Sequence, residues 1–183
     1  MHIHFLDPYR PRVSLIHQLD PRVKLVLALA FILTTSLVPF GAWPIYILLF
    51  TLSMSIVIAS ELGVKYVLKR AALAIPFVLA AVPLMFTVNG PAVLVIPIGS
   101  ATFTLTSTGL ERFISIALKS WISVQIAIVL AASTSFPDLL VAMRAIKLPR
   151  LLVAVFGLMW RYLFVLADEV LRLLRARSAR SGE

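Results

Sequence analysis

Cysteine is absent from this sequence, which excludes disulfides, thiolate catalysis and cysteine-ligated zinc. Histidine is nearly absent: the 3 present are His2, His4 and His17, all near the N-terminus. No HExxH pair, no Ser/His/Asp set and no paired carboxylates are assembled, so a membrane-embedded enzyme lacks its constellation. A Walker A loop is missing too, which excludes ATP hydrolysis by this chain. Charge is scarce, at 14% of residues against about 25% in an average soluble domain. Within that small charged fraction, 8 Asp and Glu stand against 17 Lys and Arg, a net +9. Such an excess can address nucleic acid, but beside long apolar runs it fits loops that face anionic headgroups.

Those runs are the dominant positive signal. The chain is 61% hydrophobic with a mean hydropathy of +1.01. No charged side chain occurs from Leu25 to Ser60, and none from Ala71 to Leu110. This is the pattern of a chain solvated by lipid. Asp20 and Pro21 supply an N-cap and a first helical residue. The predicted spans are 21–38, 45–60, 72–88 and 113–133. Arg22 and Lys24 are expected to snorkel inward from the first of them. Pro39 to Pro44 reads as a tight turn with Trp43 at the interface, and Glu61 to Arg70 as a polar connection. Pro76 and Pro83 fall inside the third span, where proline is tolerated as a kink. Residues 89–109 read as an external loop or short β-hairpin, with a turn over Pro97 to Ser100 and period-two alternation from Thr102 to Thr108.

After Ser135 the pattern changes. Pro137 to Ile146 reads as a short amphipathic helix, and Pro149 opens a helical stretch reaching almost to the end. Leu151 to Trp160 is interrupted by Arg161, so this stretch is expected to lie along the membrane. Beyond Asp168 it is amphipathic, with an Asp168–Arg172 pair expected at i,i+4. Fifteen of the 17 basic residues fall in 1–24, 61–70, 135–150 and 161–183. Four spans put all four segments on one side, and the positive-inside rule makes that side cytoplasmic. The division expected is a transmembrane domain over 1–134 and a cytoplasmic region over 135–183. Both termini face the cytoplasm and the protein sits in the cell's inner (plasma) membrane. The first 24 residues lack the apolar stretch of a signal peptide.

Several residues admit two readings. His2 and His4 suggest a divalent-metal chelate, but two histidines make no closed coordination set, and no metal site is expected. His17 beside Asp20 reads as a local interfacial residue. Lys119 is the one ionisable residue well inside a span, expected near its outer end; Asn89 and Gln125 are ordinary polar residues. This scarcity favours a scaffold over an autonomous carrier. Arg161 with Asp168 and Glu169 reads either as a structural ion-pair set or as part of a working surface. Arg175, Arg177 and Arg180 taken alone read as a lipid-binding basic cluster.

Leu19-Asp-Pro-Arg-Val-Lys-Leu25, Arg161-Tyr-Leu-Phe-Val-Leu-Ala-Asp-Glu169 and Arg175-Ala-Arg-Ser-Ala-Arg-Ser181 resemble the transmembrane T component of energy-coupling-factor transporters. The Arg-Tyr-Leu-Phe…Asp-Glu wording and Pro39-Phe-Gly-Ala-Trp43 are nearest to its cobalt/nickel subgroup, the CbiQ type. The resemblance covers essentially the whole chain. It implies an all-α integral membrane scaffold of about four spans plus cytoplasmic amphipathic coupling helices. It also implies a substrate-binding membrane S component and two ABC-type ATPases as partners; ATP and magnesium belong to those ATPases, and this chain holds no cofactor. The family's coupling motif falls on Ala179-Arg180-Ser181. Ala176-Arg177-Ser178 repeats its letters one turn earlier, so Arg177 stays open as the motif arginine. Arg161, Asp168, Glu169 and Arg172 would support the coupling helix. The substrate implied is cobalt or nickel, with a vitamin-transporter T component as the alternative. The family continues with a second coupling helix, a second arginine motif and a final span. This sequence ends at Glu183, so a fragment, a truncated frame or half of a split protein is expected.

Overall fold

A computed structural model describes residues 9, 10, 12, 14–98 and 101–181. Ser14 Oγ caps a single turn, α1 (Leu15–Gln18), by accepting from the His17 N–H. The first long helix, α2 (Pro21–Leu37), starts where the sequence places it: Asp20 Oδ1 accepts the Arg22 N–H at 2.8 Å and Pro21 occupies the first turn. Gly41, at φ 81°, turns the chain into α3 (Trp43–Ala59). The turn is shorter than expected, because Pro44 lacks the N–H that a first-turn residue does not need and so belongs to the helix.

The segment expected as a polar connection is helical. Gly63, at φ 88°, is the N-cap of α4 (Val64–Ala71), whose Val67 and Ala71 are fully buried. Lys65 and Lys69 line the opposite face and Arg70 its exposed flank, so polarity here marks an amphipathic helix. A 3₁₀ turn (Ala72–Ala74), α5 (Ile75–Ala80) and α6 (Leu84–Thr87) continue the same run. Pro76 and Pro83 cannot donate to the carbonyls one turn back, and the chain tightens there into i→i+3 bonds such as Val82 N–H to Leu79 O at 3.1 Å.

Strands β1 (Ala92–Ile98) and β2 (Ala101–Thr106) pair antiparallel, with Ile98 opposite Ala101 and Ala92 opposite Thr106. The hairpin reading of this region holds. Pro97 and Ile98, expected in the turn, belong to β1, and residues 99–100 lie outside the described residues. Helix α7 (Ser107–Ser133) begins six residues before the expected span. Thr106 Oγ1 explains the early start: it accepts the Gly109 N–H at 3.2 Å and donates to Val88 O at 2.7 Å. Helices α8 (Phe136–Ala145) and α9 (Arg150–Ser181) follow.

The fold is that of an α-helical membrane protein. Helix α7 is central, packed against α2, α3, α4 and α6. One apolar cluster joins Val38, Tyr46, Leu49 and Ile122; another joins Val57, Leu62, Val67, Val129 and Ala132 at the other end. Among the described residues, three helical stretches are long and apolar enough to cross a membrane: Val64–Thr87, Ser107–Ser133 and Arg150–Arg180. The 17 residues of α2 and of α3 are each about 26 Å long, close to the hydrocarbon thickness.

Candidate functional site

Basic residues of the first two segments, far apart in sequence, meet at one end of the bundle. The Arg10 N–H donates to Ala132 O at 2.9 Å, and its guanidinium lies 3.8 Å above the Tyr66 ring, with Arg70 5.0 Å from the same ring. Lys24 Nζ donates to the carbonyls of His17 and Ser133, both at 3.1 Å. Lys24 is therefore buried (8% exposed) and does not snorkel. Helix C-termini end in unpaired carbonyls, and an ammonium placed there answers both the hydrogen-bonding deficit and the dipole. Lys119 does the same at the other end, donating to Ser36 O (2.9 Å) and Val38 O (2.6 Å) while lying 4.8 Å from the Phe40 ring.

His17 sits between these elements. Its Nε2–H donates to Arg10 O at 3.0 Å, which fixes the tautomer and leaves Nδ1 to accept from Ser14 Oγ–H at 2.7 Å. Burial holds its pKa below the usual 6.5, with the Lys24 charge adding to the effect and the Arg10 carbonyl and Glu61 opposing it.

Inside the bundle, Gln125 and Ser53 are fully buried and 3.1 Å apart. Ser53 Oγ–H also lies 2.8 Å from Phe50 O, and one hydroxyl hydrogen cannot serve both acceptors. With the Gln125 amide turned so that its NH₂ donates to Ser53 Oγ, both bonds form, and the otherwise unpartnered Nε2 is satisfied. An apolar cavity of about 300 Å³ lies between α2, α3 and α7. Its lining includes Phe31, Leu52 and Ile126, and its charged member, Lys24, is a cation. Among the described residues no cluster of three or more His, Asp or Glu is placed to hold a metal ion; His2 and His4 lie outside the described residues.

Helix α9 carries the arginines. It runs unbroken for 32 residues and touches the bundle along one stripe. Val153 is buried; Phe156, Gly157, Trp160, Phe164 and Ala167 are half-buried. The spacing alternates three and four, which marks a single helix face. Its contacts are on α8: Trp160 stacks on Phe136 with centroids 4.3 Å apart and planes 13° off parallel, and Phe164 meets Trp160 edge-on at 4.8 Å. From Asp168 to Arg180 every residue is exposed.

Arg161, Asp168, Glu169 and Arg172 all lie exposed on α9. The expected Asp168–Arg172 pair is replaced by Arg172–Glu169 at 3.7 Å, one turn apart and solvent-exposed, hence of little energetic weight. Arg161 and Asp168 share a face but are two turns, about 10.5 Å, apart along the axis, too far for an ion pair. Arg175 folds back, its Nε–H donating to Leu171 O at 3.1 Å. Arg177 and Arg180 are exposed and three residues apart, hence on one side of the tip. Ala179 is exposed beside Arg180, and Ser181 ends the helix. The contacts of Lys24, Lys119 and Trp160 were not foreseen from sequence; the sole hint for Trp160 was its i,i+4 spacing to Phe164.

Residues 12–183 match the model of the CbiQ family, described as cobalt transport protein. The cobalt transport protein CbiQ of Rhodobacter capsulatus is 31% identical over 103 residues, 56% of this chain and 42% of that protein. An uncharacterized protein of Methanocaldococcus jannaschii is 24% identical over 182 residues, 96% of this chain and 61% of that protein. The chain thus spans less than two thirds of the length of each relative.

Proposed function

This chain belongs to the CbiQ family of cobalt transport proteins, and from that premise we propose that it is the transmembrane coupling subunit of an ATP-driven importer. In this reading it links ABC-type ATPases to a substrate-binding membrane S component for cobalt or nickel uptake. The chain itself carries no catalytic group and no cofactor, and ATP with magnesium is handled by the ATPases. Both termini and α8–α9 lie on the cytoplasmic side of the cell membrane.

The observation that carries this proposal is α9: a 32-residue helix, moored along one stripe and ending in two arginines on one side of an exposed tip. A rigid helix transmits displacement, and guanidinium groups stay charged and grip carboxylates or helix-end carbonyls in a fixed plane. By length and apolar content α9 also qualifies as a span. A crossing would carry Arg172, Arg175, Arg177 and Arg180 away from the other basic segments, against the positive-inside rule. Affinity purification of the full-length native gene product, with mass spectrometry of its partners, tests the proposal. Recovery of ABC-type ATPases is expected; their absence would remove it.

A further inference from the structure

The contacts described between α9 and the membrane bundle lie toward its start, on α8, and force applied at its arginine tip reaches the bundle through them. These lie within three turns. Val153 is buried, a Cβ at Gly157 would lie 3.7 Å from Leu140 Cδ1, and Trp160 is held between Phe136 and Phe164. Trp160 is the largest of these side chains and, with Phe164, the farthest out.

Its partner is rigidly presented. Phe136 is the first residue of α8 and Pro137 the second. Ser135 Oγ accepts the Asp138 N–H at 3.3 Å and donates to Asp138 Oδ2 at 2.5 Å, a reciprocal cap that fixes the start of α8. Two residues earlier, Ser133 O is held by Lys24 of α2, and α8 itself packs against α2. A continuous set of fixed groups therefore runs from α2 through the α7–α8 junction to the Phe136 ring and onto Trp160.

We propose that Trp160, stacked on Phe136, is the fulcrum of α9: a positioning residue about which the helix pivots when its arginine tip is displaced. The arms are unequal. Trp160 to Arg180 spans about 30 Å and Arg150 to Trp160 about 15 Å, so a swing at the tip appears at about half its size, reversed, at the α8–α9 turn. Stacked rings slide and tilt over each other more readily than they separate, because dispersion falls steeply with distance but is weakly directional. That is the behaviour of a pivot. The proposal rests on the coupling function above for its purpose, though not for its geometry.

Because the sequence lacks cysteine, Val141→Cys on α8 and Arg172→Cys on α9 can carry a pair of spin labels in the otherwise unaltered chain. Double electron–electron resonance is expected to give a narrow distance distribution in the parent and in Trp160→Phe. It should broaden at least twofold in Trp160→Ala and in Phe136→Leu, the second keeping apolar bulk if the first does not fold. A distribution as narrow in both stack-breaking variants as in the parent would overturn the fulcrum. In the full transporter with its ATPases, Trp160→Ala should keep the ATPases bound and hydrolysing while cation uptake per ATP falls several-fold, and Trp160→Phe should retain uptake; unchanged uptake in Trp160→Ala would contradict the role. Failure of the parent to bind ATPases would instead remove the coupling function and leave the spin-label result standing.

Discussion

Lys24 in the first turn of α2 donates to the carbonyl of Ser133, the last residue of α7, across 109 positions of sequence. The two helices run antiparallel, and Lys119 of α7 answers at the opposite end by donating to Ser36 and Val38 at the close of α2. Each helix thus supplies the cation that terminates the other. In a low-dielectric surround such charge-assisted bonds are worth more than in water, and an orphaned carbonyl costs correspondingly more.

Replacing either lysine by methionine keeps its length and removes its donors. Lys24→Met is expected to cost about 2 kcal/mol and the more exposed Lys119→Met about 1 kcal/mol. In detergent this lowers the thermal midpoint by about 4–8 °C and about 2–4 °C respectively. The sites are about 18 Å apart along α2, so the double variant should show the sum. A midpoint unmoved by Lys24→Met would show that the Ser133 contact carries no stability.

Ser53 and Gln125 form an isolated polar pair in the bundle core. Ser53→Ala leaves the glutamine amide without its partner and is expected to destabilise by about 1–2 kcal/mol. Combining it with Gln125→Leu removes the stranded group and should return most of the loss, which equilibrium unfolding of the four members of the cycle would reveal. Simple additivity of the two changes would mean that the side chains do not interact.

The His17 pocket makes the docking of Arg10 and residues 14–19 pH-dependent in one direction. The folded-state pKa lies below 6.5 because burial disfavours the imidazolium. Above about pH 6.5 both docked and undocked forms are neutral and docking is complete. As pH falls from there through the lowered folded value, the undocked form binds the proton first and docking weakens. Hydrogen exchange at the amides of Ser14 to Gln18 should accelerate, relative to the intrinsic rate, from pH 7.5 to pH 5, and His17→Asn should flatten that dependence. Equal protection at both pH values in the parent chain would contradict it.

Arg180 and Arg177 are separable by binding. Loss of a central arginine from an interface costs about 2–3 kcal/mol, so Arg180→Ala should weaken ATPase association about 30- to 150-fold. Arg175→Ala, whose side chain is turned back onto Leu171, should leave it within threefold. An Arg177→Ala loss exceeding that of Arg180→Ala would move the motif one turn earlier.

How far these features could be read in advance differed by kind. The start of α2 was legible because Asp20 and Pro21 are local signals, and the run after Pro149 was legible as a long helix for the same reason. Helix α4 is hidden in the sequence because charge in Lys65, Lys69 and Arg70 outweighs the 3.6-residue recurrence of Val64, Val67 and Ala71 over only two turns. The early start of α7 hid in Thr106, whose cap sits inside an alternating strand pattern. The arginines of the tip were visible as residue types; which of them stand clear and which fold back depends on side-chain geometry. Lys24, Lys119 and Trp160 acquire their meaning from partners 109, 81 and 24 residues away, and no local pattern encodes such distances.

The most direct test of the whole account is the sidedness of the α9 tip. With no native cysteine to interfere, Ser181→Cys supplies a single thiol for a membrane-impermeant maleimide. With the tip on the cytoplasmic side, this thiol stays unlabelled in intact cells or spheroplasts and reacts in inside-out vesicles. Labelling from the outside would place Arg180 across the membrane from any ATPase and contradict the coupling function.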